Sequence, residues 1–329
     1  MSRLGRAATG LAAVTVLSLT ASGCVTVHGE LEVVPSATNA EAEQALQDFT
    51  DAYNAADKAY DPALDAGRVT GALGAINQAG LKARSITTPG GNPRHRPLEL
   101  SDTTYHIPKK AGWPRFFVAD ADSNRDTDSG DQDSRWLIVF VKNSNKQLWE
   151  AAYLAILSPG EVPKFRTDQE GWAEPVAPDS DVTAVAPRDL SEEYASYLRT
   201  GRPRHFADGA HTSGWRQVRE QNGRRAGLST QYVDQALDTG DFAPLGLATQ
   251  DGGALVFFAL RYFDRQTAAQ GYRPKVSQDV KALLTGEVKS TLTKEWVSSQ
   301  AVTVAPKGAA GPPVRIISRL QGVTAARGS

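Results

Sequence analysis

The chain has 329 residues, and its 36 Lys and Arg against 37 Asp and Glu leave a formal net charge of −1. This balance argues against the basic domain or stripe of a nucleic-acid-binding protein, so we expect no nucleic-acid partner. A hydrophobic fraction of 40% with 22% charged residues is typical of a folded soluble chain, and the single cysteine excludes an intrachain disulfide.

The first 23 residues have the pattern of a secretory signal peptide. Arg3 and Arg6 place positive charge at the front, residues 7–21 are almost wholly apolar or small, and no acidic residue precedes Cys24. The apolar run is shorter than the about 20 residues that a membrane span needs. Small residues then lead into Cys24, so a peptidase groove can accept the chain and the thiol can be alkylated.

Residues 21–24 resemble a bacterial lipobox, with Ala21 at the position that Leu more often occupies. The resemblance implies that residues 1–23 are removed and that Cys24 carries a thioether-linked diacylglycerol and an N-acyl chain. Two or three acyl chains anchor a protein stably, so we expect it on the extracytoplasmic face of the cell membrane. The alternatives are a cleaved signal peptide with an incidental cysteine, or an uncleaved anchor.

Shifts in composition divide the rest of the chain into a tether and two domains. Residues 159–187 combine several prolines with polar residues, which is typical of a connection between domains. The predicted segments are a lipid-anchored tether, a first α+β domain, the proline-rich connection and a second α+β domain, over residues 24–38, 39–158, 159–187 and 188–326.

Helices are predicted at the start of each domain. Thr38 and Glu41 fit a capping box ahead of apolar residues at helical spacing. Asp61 followed by proline predicts the start of a second helix. In the second domain, we expect Asp189 to cap one helix and a further helical segment to lie around Trp215.

Short runs rich in β-branched and aromatic residues follow the helices in both domains. Polar turns at residues 142–146 and 251–253 each join two such runs, so an antiparallel hairpin is expected at both. The predicted strands are Leu98–Ile107, Trp113–Ala119, Arg135–Lys142, Leu148–Leu157, Leu245–Thr249, Ala254–Phe263, Ser290–Val304 and Val314–Ala326.

Helices followed by an antiparallel sheet, twice over, indicate an α+β fold of two tandem units with a helix packed across each curled sheet. In order and length the units resemble the cystatin-like or NTF2-like cone fold. The whole chain resembles uncharacterised bacterial lipoproteins that carry two such units, and the resemblance covers most of residues 39–326.

The acidic run at residues 120–133 is the best candidate for a metal site. Oxygen-bearing side chains stand at alternate positions, as in calcium-binding loops. However, Arg125 occupies the position where the sharp turn of an EF-hand needs glycine, and Asp131 replaces the expected bidentate glutamate. We therefore favour a solvated acidic loop, and predict neither a metal nor another cofactor.

Other motifs for catalysis are missing from the sequence. No two histidines have the spacing of a helical zinc site, and no nucleophile motif or glycine-rich phosphate loop is found. NTF2-like cones sometimes hold a Tyr/Asp acid–base pair, for which Tyr53, Tyr60, Tyr105 and Asp57 are candidates, although core aromatics and a surface charge are the favoured interpretation. The five histidines are His28, His95, His106, His205 and His211.

The helical part of the second domain is locally basic. Contact with anionic headgroups is one interpretation, but acidic residues interrupt the run and favour a solvated face. The strand tryptophans Trp136, Trp149 and Trp296 are expected in the core. The basic residues are Arg199, Arg202, Arg204, His205, Arg216, Arg219, Arg224 and Arg225.

The sequence therefore predicts a membrane-tethered extracytoplasmic lipoprotein that binds or scaffolds and is not an enzyme. Its expected partners are the membrane, through the lipid anchor, and an envelope protein or a small apolar ligand. One alternative is an NTF2-like pocket enzyme or small-ligand binder. Another is a Ca²⁺-stabilised module for adhesion or assembly in the envelope.

Replacing Cys24 tests the anchor. We expect Cys24→Ser either to release the protein from membranes or to leave an unprocessed precursor, because the alkylated sulfur is gone. Membrane fractionation and mass spectrometry of the N-terminus give the answer. An unchanged mass and an unchanged membrane partition in the variant would contradict lipidation.

Overall fold

The structure is a computed structural model that describes residues 32–127 and 129–329. The predicted signal peptide, Cys24, most of the tether and Asp128 of the acidic run lie outside the described residues. The described chain is a mixed α+β protein with antiparallel sheets, which confirms the predicted α+β class.

The first helix, α1 (Asn39–Ala59), follows a short strand, β1 (Val34–Pro35), and begins at the predicted capping box. The Thr38 hydroxyl accepts a hydrogen bond from the Glu41 N–H at 3.1 Å, and the Glu41 carboxylate accepts one from the Thr38 N–H at 2.8 Å. Both bonds occupy backbone donors that a helix start would otherwise leave unpaired. The capping prediction is confirmed.

The second helix, α2 (Gly71–Thr87), begins later than predicted, because Asp61 caps only one turn of 3₁₀ helix. Beyond that turn, Arg68 and Thr70 pair with Ala151 through backbone hydrogen bonds of 2.9 and 3.0 Å. This extended pairing prevents a helix before Gly71. Gly71 itself has a φ of 53°, a conformation that favours glycine.

The first sheet has the strand order β2-β4-β5-β6, and every neighbouring pair is antiparallel. The predicted hairpin across residues 142–146 joins β5 to β6 and is confirmed. The small strand β3 pairs with β1 instead, next to the end of the tether. The strands are β2 (Leu100–His106), β3 (Lys109–Lys110), β4 (Arg115–Ser123), β5 (Arg135–Lys142) and β6 (Glu150–Leu157).

The proline-rich segment after β6 runs beside the second half of the chain. Phe165 forms a β-bridge with Thr249, and Pro175 forms one with Leu247. Proline lacks an N–H and is suited to such isolated, edge-like pairings. The domain boundaries at residues 159 and 187 stay a prediction.

The second sheet has seven strands in the order β11-β13-β12-β10-β8-β7, with β9 also paired to β10. The predicted hairpin at residues 251–253 joins β9 to β10 and is confirmed. The elements are α3 (Leu190–Thr200), α4 (Ser213–Gly223), β7 (Arg224–Arg225), β8 (Leu228–Leu237), β9 (Leu245–Ala248), β10 (Ala254–Ala268), α5 (Gln278–Ala282), β11 (Leu284–Thr285), β12 (Thr291–Val304) and β13 (Val314–Gly328).

Several details of this half differ from the predictions, and two of them concern the start of α3 and the strand β8. The Asp189 side chain makes no capping hydrogen bond, because residues 187–189 already form a 3₁₀ turn that leads directly into α3. The strand β8 was missed altogether. Exposed and half-buried residues alternate along β8. However, the half-buried positions include Thr230, Tyr232 and Asp234, so this face of the strand is not a continuous row of apolar residues.

The two sheets pack face to face, and helices cover their outer faces. In β5, Leu137 and Val139 point into the shared core, whereas Ile138 and Phe140 point towards α1. In β10, Leu255, Phe257 and Ala259 enter the same shared core, and the alternate residues Val256, Phe258 and Leu260 pack under α3. The order of layers is therefore α1, first sheet, second sheet and α3.

Hydrogen bonds also cross between the two halves. The Tyr153 hydroxyl, in the first sheet, donates to the carbonyl of Phe242 at 2.7 Å. The Ile156 N–H donates to the Ser318 hydroxyl at 3.2 Å. Both bonds satisfy polar groups at the edge of the apolar core, where unpaired groups would destabilise the fold.

Asp65 is fully buried in the turn before α2. Its carboxylate accepts hydrogen bonds from the amides of Asn77 and Gln78, both at 2.5 Å. Burial is the largest influence and raises the pKa of Asp65 to about 6, above its ordinary value of 3.8.

This raised pKa predicts a specific pH dependence of stability. Between about pH 4 and pH 6 the folded state binds more protons than the unfolded state, so the contribution of Asp65 to stability is lost as the pH rises. The loss is about 3 kcal/mol or less. We expect Asp65→Asn to remove this slope, as measured by urea unfolding at pH 4.5 and pH 7.5.

The exposed neighbour Asp61 provides the control, because Asp61→Asn changes a carboxylate that is already solvated. A slope in Asp65→Asn that equals the slope of the wild-type protein would show that Asp65 does not titrate in this range.

Candidate functional site

Two aspartates of the acidic run at residues 120–133 bind other side chains of the protein. Asp120 forms an ion pair with Arg135 at 2.7 Å, and Asp126 accepts a hydrogen bond from the Ser134 hydroxyl. In residues 32–127 and 129–329, no three Asp, Glu, His or Cys side chains cluster in a way that could hold a metal ion.

Two of the five histidines lie in loops and contact carboxylates of helices. His95 Nδ1 lies 2.8 Å from the Asp57 carboxylate of α1, and His205 Nδ1 lies 2.7 Å from the Glu193 carboxylate of α3. Asp57, expected at the helix surface, is therefore half-buried in a contact with a loop. His28 lies outside the described residues.

The other two histidines lie apart from each other. His106 packs against Phe165 with ring centroids 4.2 Å apart, and burial lowers its pKa. His211 also has its pKa lowered by burial, and its backbone carbonyl accepts a hydrogen bond from Tyr194. They form no common site.

The three tyrosine candidates of the first half play structural roles. Tyr53 packs against Phe49, and burial raises its pKa. Tyr60 ends α1, and Tyr105 makes an edge contact of 6.2 Å with Phe117. In the described part of the chain, none of the three is hydrogen-bonded to Asp57.

A groove of about 620 Å³ lies between α1 and the edge strand β2. Its central polar side chain, Asn54, already exchanges two hydrogen bonds with the backbone of Leu98, at 2.7 and 2.9 Å. The Thr50 hydroxyl donates to the carbonyl of Leu46. These two side chains are satisfied within the protein and are therefore not free to bind a ligand.

The second half contains a different arrangement around α4. Arg219 is 6% exposed and makes a bidentate ion pair with Asp234 of β8, with both N–O distances 2.8 Å. Its guanidinium lies 4.8–5.2 Å from the ring centres of Trp215, Tyr232 and Tyr262. Planar guanidinium groups stack well on aromatic rings, so this contact holds α4 against the sheet.

The predicted solvated basic face is thus only partly confirmed. Arg219 is buried, and Arg216 is half-buried with its guanidinium 5.5 Å from the ring centre of Tyr197. Sequence reasoning could not separate these two from their neighbours, because their partners come from distant segments. The exposed members are Arg199, Arg202, Arg204, Arg224 and Arg225.

A second arginine, Arg319 of β13, enters the same region. Its guanidinium lies 4.2 Å from the ring centre of Trp215, and one of its nitrogens donates to Gln321 at 2.6 Å. No Asp or Glu oxygen of the described residues lies within 4.0 Å of it. Burial lowers the pKa of Arg319, because a desolvated charge is unfavourable.

A pocket of about 250 Å³ lies beside these side chains and is lined by Arg225 and by aromatic rings, so we call it the arginine–aromatic pocket. Tyr262 and Trp296 stack along its wall with centroids 5.6 Å apart and planes 5° from parallel. Trp136 and Trp149 are buried in the core as predicted, but Trp296 is not and lines this wall instead. The wall residues we use below are Trp215, Tyr232, Tyr262, Asp264, Trp296 and Gln321.

Unpaired buried polar atoms concentrate on α4 and on the strand face beneath it. Six of the ten buried side-chain atoms without a hydrogen-bond partner in the described chain lie here. Buried polar groups are nearly always paired, so this concentration is unfavourable for the stability of the region. Of the six residues, Trp215 and Asp264 also line the pocket. The atoms are Trp215 Nε1, Arg216 Nε, Arg219 Nε, Asp264 Oδ1, Gln300 Oε1 and Arg319 Nε.

Sequence reasoning missed most of this pocket. Thr230 and Tyr232 lie on the strand that was not predicted, and Gln321 lies on a strand that was predicted without regard to its polar face. A usable signal does exist: Arg319 and Gln321 stand at alternate positions and therefore on one face of β13.

The fold and pocket define an α+β protein with two packed antiparallel sheets and a polar site beneath α4. A family described as a domain of unknown function (DUF8094) matches residues 33–328, so the chain belongs to that family. Within the described ranges, no helix is long and apolar enough to cross a membrane.

Two relatives are similar over nearly their whole length. An uncharacterised lipoprotein of Streptomyces coelicolor is 53% identical over 327 residues, which cover 99% of this chain and 96% of that protein. An uncharacterised lipoprotein of Streptomyces avermitilis is 50% identical over 329 residues, covering 100% of this chain and 97% of that protein. The resemblance to uncharacterised bacterial lipoproteins is therefore confirmed.

The buried ion pair generates a stability prediction. Asp234→Asn leaves the Arg219 charge buried without its partner, which should lower the free energy of unfolding by about 3 to 5 kcal/mol. Urea unfolding measures the difference. Arg315→Met is the matched control, because its ion pair with Glu161 is exposed and should contribute less than about 1 kcal/mol. Equal losses in the two variants would contradict this role of the pair.

Proposed function

We propose that this protein is a lipid-anchored extracytoplasmic binding protein that holds a small ligand in the arginine–aromatic pocket and does not transform it. The observation that carries the proposal is the aromatic-walled pocket itself, whose lining adds the charged side chains Arg225, Asp264 and Lys294 to the rings. Pockets of this kind, apolar with a few placed polar groups, are typical of small-molecule sites.

The anchor is supported by the sequence and by the relatives. Residues 21–24 resemble a lipobox, and both relatives are named lipoproteins. An acylated Cys24 would leave residues 25–33 as the link to β1, and nine residues span at most about 30 Å. The folded body would therefore stay close to the outer surface of the membrane.

We also propose that the chain consists of two cystatin-like or NTF2-like units. The order of elements supports this, since α1 and α2 precede the first sheet and α3 and α4 precede the second. In each half, the first helix covers the sheet face that points away from the other half. The pocket lies on this helix-covered face of the second sheet.

A binding role without catalysis fits the chemistry of the pocket. Burial raises the pKa of Tyr262, so its hydroxyl keeps its proton, which it donates to Gln321 at 2.9 Å. Asp234 is held by Arg219, and Asp264 is held by Trp296 and Lys294. The titratable groups are thus engaged in orienting one another, as in a preorganised binding site.

The pocket can be tested through Arg225, the arginine that lines it. We expect wild-type protein, solubilised from the membranes of the producing bacterium, to show an excess mass in native mass spectrometry that disappears on denaturation. Arg225→Met should lose this excess mass but remain about as stable to heat, because Arg225 is exposed and its recorded side-chain partner is the neutral Asn222.

Arg315→Met is the control for a charge change at a solvated position that does not line the pocket, and it should retain the excess mass. If the wild-type protein carries no excess mass, or if Arg225→Met retains it, the arginine–aromatic pocket is not the binding site.

A further inference from the structure

We infer that the free edge of β8 binds an extended acidic segment of another protein, which adds to the second sheet as a further strand. The acidic side chains of that segment stand at alternate positions and lie in a groove between α3 and α4. Three features carry the inference: an unpaired strand edge, a groove beside it and an excess of positive charge. It does not depend on a ligand in the arginine–aromatic pocket.

The outer edge of β8 is unpaired over the stretch Gln231–Ala236. The short strand β7 pairs only with Leu228 and Ser229, and the Ser191 hydroxyl accepts a hydrogen bond from the Leu237 N–H at 3.0 Å. Between these points, backbone hydrogen bonds join β8 to β10 and to no other segment of the described residues. Alternate residues of an antiparallel strand bond to the same neighbour, so the remaining residues of this stretch direct their N–H and C=O groups outwards.

The other long edges are covered or interrupted in the described part of the chain. On β6, Thr70 pairs with Ala151, and on β13 a Cβ at Gly322 would lie only 2.8 Å from the Ile76 side chain of α2. The register of β2 is irregular. By contrast, β8 has 10 residues without proline, glycine or lysine, and its register with β10 is unbroken. Proteins usually protect exposed edges by such devices, so a long edge without them is suited to accept a further strand.

The exposed face of β8 carries no charge. Ser229, Gln231, Val233 and Gln235 are its exposed residues, and Val233 is 53% exposed. Charged side chains on an edge oppose the approach of another strand, and this face has none. A β-branched residue of an added strand would bury the surface of Val233 by a cross-strand contact.

A groove of about 500 Å³ lies on the other face of β8. Its lining includes Tyr232 and Asp234 from the strand, Leu198 and Arg199 from α3, and Arg216 from α4. Successive side chains of a strand point to opposite faces, so a strand added at β8 would direct every second side chain towards this groove. The free edge and the groove therefore form one binding surface.

The lining of the groove has one positive charge in excess. Asp234 and Arg219 neutralise each other through a bidentate pair at 2.8 Å, so this aspartate does not repel a neighbouring strand. The other charged residues of the lining are Arg199, Arg216 and Glu220. Neither of these two arginines has an Asp or Glu oxygen of the described residues within 4.0 Å.

This charge favours carboxylates on the added strand. A guanidinium binds a carboxylate through two parallel hydrogen bonds. Arg216 is half-buried and held 5.5 Å from the ring centre of Tyr197, whereas Arg199 is exposed. A second copy that paired with β8 about a twofold axis would bring the same positively charged groove next to itself. The charge therefore favours an acidic partner over a second copy of this chain.

Peptides of about six residues, the length of the free edge, test this surface. The probe alternates valine with glutamate, so that its glutamates share one face. Two controls replace every glutamate by glutamine or by lysine. A third control keeps the glutamates but carries N-methyl groups on its backbone amides, which then cannot donate hydrogen bonds. Fluorescence anisotropy with the full-length protein in a non-ionic detergent gives the affinity, and hydrogen exchange locates the bound peptide.

In the free protein, we expect about half of the amides of Gln231–Ala236 to exchange rapidly, because they face outwards. The glutamate peptide should slow their exchange and bind about tenfold or more tightly than each of the three controls. Arg199→Gln combined with Arg216→Gln should weaken the glutamate peptide about tenfold. The matched control Arg94→Gln, at an exposed arginine of the first half, should leave its affinity unchanged. The melting temperature of each variant shows whether it is folded.

The inference is overturned if any control peptide binds as tightly as the glutamate peptide, or if the bound glutamate peptide leaves exchange in Gln231–Ala236 unchanged. Slow exchange of this whole stretch in dilute free protein would show that the edge is already covered. Protection that appears only at high protein concentration, together with a dimer in native mass spectrometry, would assign the edge to a second copy. Binding to nanodiscs of anionic lipid without any binding of the peptide would assign the arginines to the membrane surface. Each of these results rejects the acidic strand.

Discussion

The structure depends on the face-to-face packing of its two sheets around one apolar core. Along β5 and β10, successive side chains point in turn into this shared core and towards the helices outside. Since burial of apolar surface is the main favourable contribution to folding, neither sheet can turn its inner face to water without a large loss. Each sheet therefore has only its outer face left for other uses. In the first half that face is filled by α1 and aromatic side chains, and in the second it is filled only in part by α3.

The remaining part of the second sheet lies beneath α4 and has a different chemistry. Arg219, Asp234 and three aromatic rings hold α4 in place through charge and stacking. Burying such groups without full pairing is unfavourable, and a dry apolar contact would serve stability better. Arg319 and Asp264 add further unpaired atoms to the same face. These groups lower the stability of the region, and the shared core offsets that loss.

Several elements could be predicted because the information is local. The capping box at Thr38 and Glu41, the hairpin at residues 251–253 and the strand Arg135–Lys142 are set by neighbours within a few residues. The start of α2 could not be predicted, because Arg68 and Thr70 pair with Ala151, far away in the sequence. The strand β8 was missed for a related reason. Its inward residues Tyr232 and Asp234 face a polar pocket, so the apolar alternation by which strands are recognised is absent there.

By itself, the sequence determined the α+β class, most helices and strands, and a Cys24 motif that resembles a lipobox. All of these depend on residue type and on spacing over short stretches of chain. Only the tertiary structure decided that the two sheets share a core and that Arg219 is buried whereas Arg224 is solvated. Only the fold brings Trp215, Asp264 and Gln321 together around one pocket. These residues are distant in sequence, and their proximity results from strand order and register, which no local pattern encodes.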